Sequence, residues 1–174
     1  MHCHSKFVRV RRGVATRSVL IAAGVVLLAA WLALRFGIGP GLLEIQPADL
    51  AAARERWQQA GVTDYDITIT LSGRQTGDIK VQVRAGVPTA MTRNGIQPKQ
   101  ERTWEPWTVP GMFDTIDVDF DNRTNAKEKF GTDPTSVKLR CLFDPELGYP
   151  RRYLHQVYGR QQDLEWTVTE FVRR

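Results

Sequence analysis

Cysteine and histidine are scarce, at two and three in 174 residues. Two thiols cannot build a disulfide scaffold, nor by themselves a structural zinc site. From Glu44 onward there is one histidine, His155, and no glycine-flanked nucleophilic serine or phosphate-binding glycine loop. Internal repeats and low-complexity tracts are also missing. The length excludes most multidomain enzymes, and 42% hydrophobic with 25% charged residues excludes a wholly disordered or fibrous chain. Acidic residues are absent before Glu44, whereas Lys6, Arg9, Arg11, Arg12, Arg17 and Arg35 all precede it. The formal net charge of +5 therefore belongs to the N-terminus, and the chain from Glu44 onward sums to about −1. That balance argues against nucleic acid as a partner.

Between the basic clusters, residues 18–34 (SVLIAAGVVLLAAWLAL) are uncharged and strongly apolar. As a helix this run is about 25 Å long, and Phe36 and Ile38 extend it towards the roughly 30 Å of a bilayer core. Trp31 and Arg35 suit an interface. No good small-x-small cleavage site follows, since a cut after Gly37-Ile38-Gly39 would fall before Pro40, which favours an uncleaved signal anchor over a removed signal peptide. The expected organisation is a cytoplasmic basic tail over 1–17, a transmembrane signal anchor over 18–38 and a linker over 39–46. An extracytoplasmic domain follows over 47–174. The lipid bilayer is thus the first expected partner, with the cell membrane as the location.

The domain opens with a helical pattern over 47–60, where Leu50, Ala53 and Trp57 share a face, Pro47 suits the first turn and Gly61 the stop. Period-two alternation follows. Tyr65, Ile67, Ile69 and Leu71 form one strand face, Ile79, Val81 and Val83 the next, and Thr89 to Thr92 a short third strand. Residues 94–110 read as irregular, with Trp104 and Trp107 looking exposed. Thr108 can cap a second helix, although Ile116, Val118 and Phe120 also fit a strand. Val137, Leu139, Cys141 and Phe143 then alternate, residues 151–158 return, and Leu164, Trp166 and Val168 alternate again. The expected fold class is α+β: an antiparallel sheet of about six strands with two helices on one face, preceded by the single N-terminal transmembrane helix.

The run Leu142-Phe143-Asp144-Pro145-Glu146-Leu147-Gly148-Tyr149-Pro150-Arg151 resembles the signature of the domain of unknown function 6174 family. Arg56-Trp57, Tyr65, Thr108-Val109 and Met112-Phe113-Asp114 are similar to its upstream pattern. The resemblance spans most of residues 48–172 and implies a small extracytoplasmic bacterial domain, often borne on a lipoprotein or a single-pass anchor. It also implies a helix over 109–121 and transfers no catalytic residue. Taken by itself, the motif is turn chemistry: Asp144-Pro145 opens a tight turn, Gly148 permits positive φ and Pro150 extends the chain. Tyr149 is left as a ring that packs across the sheet end or lines a recess.

Two constellations carry ligand chemistry. Asp117, Asp119, Asp121, Asn125 and Glu128 fall at positions 1, 3, 5, 9 and 12 of an EF-hand spacing, although Asn122 stands where glycine is usual. Calcium is the one cofactor this admits; no other is expected. Lys80, Arg84, Lys138 and Arg140 fall on polar strand positions with Asp66 and Glu165. They form either solvated cross-strand pairs or a docking face, with Trp104, Trp107, Lys138, Arg140 and Tyr149 as the partner-contacting residues. The expected function is a membrane-anchored extracytoplasmic binding or accessory domain contacting an envelope protein or polymer through this face and the 94–110 loop. The alternatives are a calcium-responsive module and an envelope hydrolase. His155 and Cys141 sit at alternating strand positions that read as packed, so no catalytic residue is assigned.

Overall fold

The computed structural model describes residues 42–159 and 163–174. The apolar run at 18–34, read above as the anchor, lies outside them. No helix among the described residues is long and apolar enough to cross a membrane. The described residues form β1 (Leu43–Glu44), α1 (Pro47–Ala60), β2 (Tyr65–Gly73), β3 (Gly77–Arg84) and β4 (Val87–Arg93). Two 3-10 turns, Glu101–Thr103 and Glu105–Trp107, lead into α2 (Val109–Thr124) and the short α3 (Ala126–Phe130). Strands β5 (Val137–Phe143), β6 (Pro150–Val157) and β7 (Leu164–Arg173) complete the chain.

Local chemistry sets the helix boundaries. Asp49 accepts the Gln46 backbone N–H at 2.8 Å, Pro47 occupies the first turn, and Gly61 stops α1 at φ 58°. At α2, the Thr108 hydroxyl accepts from Gly111 N at 3.2 Å, Pro110 follows, and Tyr65 on β2 accepts the Val109 N–H at 3.0 Å. That cap resolves the helix-or-strand ambiguity of 109–121 in favour of helix. Gly111 is required here because a Cβ would lie 2.0 Å from the Glu105 carbonyl oxygen, where the turn packs against the helix.

All pairings are antiparallel, and the sheet runs β1-β5-β6-β7-β2-β3-β4. It has seven strands where six were expected. The additional one, β1, pairs Leu43 with Cys141 and Glu44 with Arg140, and Ile45 beyond it is buried. Residues 43–45, read as part of a linker, therefore belong to the domain, because the unpaired edge of β5 accepts them. β7 carries a bulge between the partners of Thr68 and Ile69. It shifts the alternation so that Trp166, Val168 and Phe171 lie on the same face although their spacing is not uniform.

One face of the sheet is covered. Tyr65, Ile67, Ile69, Ile79, Val81, Leu139, Tyr153 and Trp166 are buried with Leu50, Ala53 and Trp57 of α1 and Met112, Phe113 and Ile116 of α2 in a single core. The edges are blunted. β1 spans only two residues. On β4, Pro88 has no N–H, the pairing slips between Gln82 and Val83, and Ile96 exchanges two backbone hydrogen bonds with Arg93, at 2.8 and 3.0 Å. The second sheet face remains open.

Candidate functional site

The open face is largely polar, with Leu142, Leu154 and Val172 set among its charges. Arg84 and Arg174 both bind Asp66, at 2.7 and 2.6 Å, and Arg152 binds Glu165 at 2.5 Å. Thr70 donates to Asp78 at 2.7 Å, and Thr68 and Ser72 donate to Glu170 and Glu165 at 3.3 and 3.4 Å. These are cross-strand pairs, each worth little in stability because both partners are solvated. Lys138 binds Glu44 at 3.1 Å across the β1–β5 edge. Lys80 and Arg140 form no ion pair among the described residues. The face is therefore mostly self-neutralised, with a few free cations and a belt of hydroxyls.

The aromatic contact residues sit elsewhere than their polar surroundings in sequence implied. Trp104 is only 4% exposed and belongs to the core. Trp107 is half-buried, edge-on to Trp166 at 6.4 Å. Residues 101–107 wind into two 3-10 turns that fold both rings inward, so the pair does not form an exposed rim. Tyr149 is 8% exposed and stacks on Phe171 at 4.5 Å, and Phe171 stacks in turn on Tyr65 at 5.2 Å. Its ring packs across the sheet end.

The rest of the Asp144–Pro150 motif has the same structural purpose. Asp144 Oδ1 accepts the N–H groups of Glu146 and Leu147, at 3.0 and 2.8 Å, and Gly148 N donates to the Asp144 carbonyl at 3.0 Å. Gly148 has φ 81° and lies against α1, where a Cβ would meet the Ala53 carbonyl oxygen at 2.2 Å. The turn is shaped to seat on the helix backbone.

The EF-hand spacing is not an EF-hand loop. Asp117, Asp119 and Asp121 lie within α2, Asn125 follows its end, and Glu128 is in α3. On a helix Asp119 points about 200° from both neighbours, while Asp117 and Asp121 share a face one turn apart, so the three carboxylates do not converge on one point. Asp117 instead binds Arg54 on α1 at 2.5 Å, and Asp114 binds the same guanidinium at 3.1 Å. Among the described residues no group of three or more His, Cys, Asp or Glu is placed to hold a metal ion.

Asp119 points the other way, into the core. Its Oδ2 accepts from the Tyr153 hydroxyl at 2.8 Å, and its Oδ1 is 3.5 Å from His155 Nδ1. Burial pushes the Asp119 carboxyl above the usual carboxylate range, against the opposing pull of His155 and the Tyr153 hydrogen bond. Burial, then the Asp119 charge, also holds the Tyr153 phenol well above its ordinary value. Phe130 covers His155 edge-on at 5.8 Å. The sequence reading placed His155 in a packed position and missed its partner. The signal was present: Asp119 lies three residues after Ile116 and seven after Met112, in the apolar stripe of α2. The cluster lacks an activated nucleophile, because burial pushes the Cys141 thiol far up as well. Between α1 and α2 lies a cavity of about 330 Å³ lined by Trp57, Val62, Pro110 and Phe113. Arg54 at its mouth is held by the two aspartates, so the cavity offers an apolar lining and no free cation.

Comparison with curated proteins and with solved structures finds no match to this chain. A family model does match, over residues 49–169, from the first turn of α1 into β7, and it is described as a family of unknown function, DUF6174. The matched span contains the Thr108 cap, the buried Asp119 cluster and the Asp144–Pro150 turn, and on that match the chain belongs to the DUF6174 family.

Proposed function

We propose that this chain is a membrane-anchored extracytoplasmic binding domain that meets an envelope protein or polymer through the open face of its sheet. The observation that carries the reading is the uncovered face itself. Helices cover one side of seven strands and both edges are blunted, while the other side presents hydroxyls, paired charges and the free cations Lys80 and Arg140. A mixed-charge, hydroxyl-rich surface suits a polar partner held by many modest hydrogen bonds. The apolar run at 18–34 behind a basic tail supports the anchor and its orientation. Trp104 and Tyr149, which are buried, are not among the contacts.

The test is photo-crosslinking in intact cells from positions 80 and 140 on the open face, with position 55 on the exposed side of α1 as the control. The same partner is expected from 80 and 140 and nothing from 55. No adduct at either face position, or equal capture at 55, overturns the docking surface. A Gln97→Cys chain that resists membrane-impermeant maleimide in intact cells but reacts after lysis overturns the extracytoplasmic placement.

A further inference from the structure

We propose that the corner where β1, the end of α2 and the start of β5 meet, with α3 continuing from α2, is a contact surface for anionic lipid headgroups. This rests on the anchored reading above. Charge within the domain is uneven. Residues 123–140 hold five basic side chains (Arg123, Lys127, Lys129, Lys138 and Arg140) against Glu128 and Asp133, while the remaining residues from Glu44 onward hold 13 basic and 17 acidic. A nearly neutral domain thus has one cationic corner and an acidic remainder.

The fold gathers these residues. Glu44 on β1 binds Lys138 at 3.1 Å and Arg123 at 3.6 Å, which draws the end of α2 and the start of β5 to one sheet edge. Arg140 stands opposite Glu44 in the β1–β5 register. Lys127 and Lys129 are exposed on α3, directly after α2. Glu44 offsets one charge of the set, and the corner stays positive. A cavity of about 430 Å³ opens there, lined by Arg123, Thr124, Thr135 and Lys138 together with the Glu44 carboxylate that both cations pair with. Guanidinium, ammonium and hydroxyl groups are the donors that phosphate oxygens accept from.

The sequence that precedes β1 supports a bilayer as the occupant. It enters the domain at β1, and Leu43 is nine residues beyond Leu34, the end of the apolar run. Eight intervening residues, fully extended, reach about 28 Å at most. The β1 edge is thus where the chain enters the domain, within that reach of the apolar run, and Leu43 there is 67% exposed, an apolar side chain beside the cations. Basic residues close to an anionic membrane surface are attracted within a Debye length, and salt screens the attraction.

The full chain, with Cys3→Ser, is reconstituted into vesicles of phosphatidylcholine or of phosphatidylcholine and phosphatidylglycerol in equal parts. Each vesicle set carries a headgroup-quencher lipid. A dye sits on Thr124→Cys at the corner or on Gln97→Cys beyond β4. Quenching at position 124 is expected to rise in the anionic vesicles and at position 97 to stay constant. The rise should be lost in Lys127→Glu/Lys129→Glu and in high salt. Composition-independent quenching at 124 in a chain that resists alkaline carbonate extraction overturns the headgroup contact alone. A chain that carbonate extracts overturns the anchor, and this proposal falls with it.

Discussion

Replacing Gly148 by alanine isolates the reason for the central glycine of the Asp144–Pro150 motif. Two costs are superposed at this position. Its φ of 81° is strained for any L side chain, by about 1–2 kcal/mol. The new Cβ would also lie 2.2 Å from the Ala53 carbonyl oxygen and 3.0 Å from Arg56 Cβ. The first of these is backbone within α1, so no rotamer change relieves it, and displacing the turn adds about 1–3 kcal/mol. Gly86 supplies the control: its φ is 78° and nothing lies within 4 Å of its Cβ position, so Gly86→Ala carries the strain alone. Urea unfolding of residues 42–174, which contain the whole core, should show Gly148→Ala destabilised by about 2–5 kcal/mol and Gly86→Ala by about 1–2 kcal/mol. Equal losses in the two variants would refute the argument that close approach of the turn to α1 demands glycine at 148.

Three further outcomes follow from the buried polar groups. The Asp119 carboxyl titrates above its unfolded value near 3.9, so the folded state holds its proton more tightly; stability from this group is present at low pH and lost as pH rises through the folded pKa. The stability of Asp119→Asn relative to the native chain should therefore improve between about pH 4 and pH 7, and a gap that is flat with pH would contradict the shift. Burial pushes the Tyr65 phenol up to about 12, and the same hydroxyl accepts the Val109 N–H. Tyr65→Phe should cost about 1–3 kcal/mol by leaving that buried donor without a partner, read by the same urea titration. Adding calcium or chelator should leave the melting temperature of residues 42–174 unchanged, since Asp119 is turned into the core, away from Asp117 and Asp121; a calcium-dependent rise would show that 117–128 can rearrange into a loop.

The polar sheet positions show where sequence and structure agree most closely. Asp66, Arg84 and Glu165 were read as members of cross-strand rows, and each is bonded within such a row. Alternation places side chains on one face wherever a strand runs without a bulge, and long polar side chains on neighbouring strands find each other. Trp104 and Tyr149 show the reverse. A large ring among turn residues has no period to betray its environment, and the packing of 3-10 turns and of the Phe171 stack buried both. The carboxylates at 117, 119 and 121 keep one spacing whether they line a loop or circle a helix, and the Thr108 cap chose the helix.

What the sequence by itself determined is local and periodic: α1 between Pro47 and Gly61, the alternating strands and the confinement of excess charge to the first 43 residues. These depend on residues within one or two turns of each other, where 2.0 and 3.6 periods and capping chemistry are decisive. Tertiary structure alone decided the order β1-β5-β6-β7-β2-β3-β4, the bulge in β7, the seating of Gly148 on α1 and the meeting of Asp119 with Tyr153 and His155. Each of these is a contact between segments far apart in the chain, and an apolar face specifies that it must be buried without specifying against which partner.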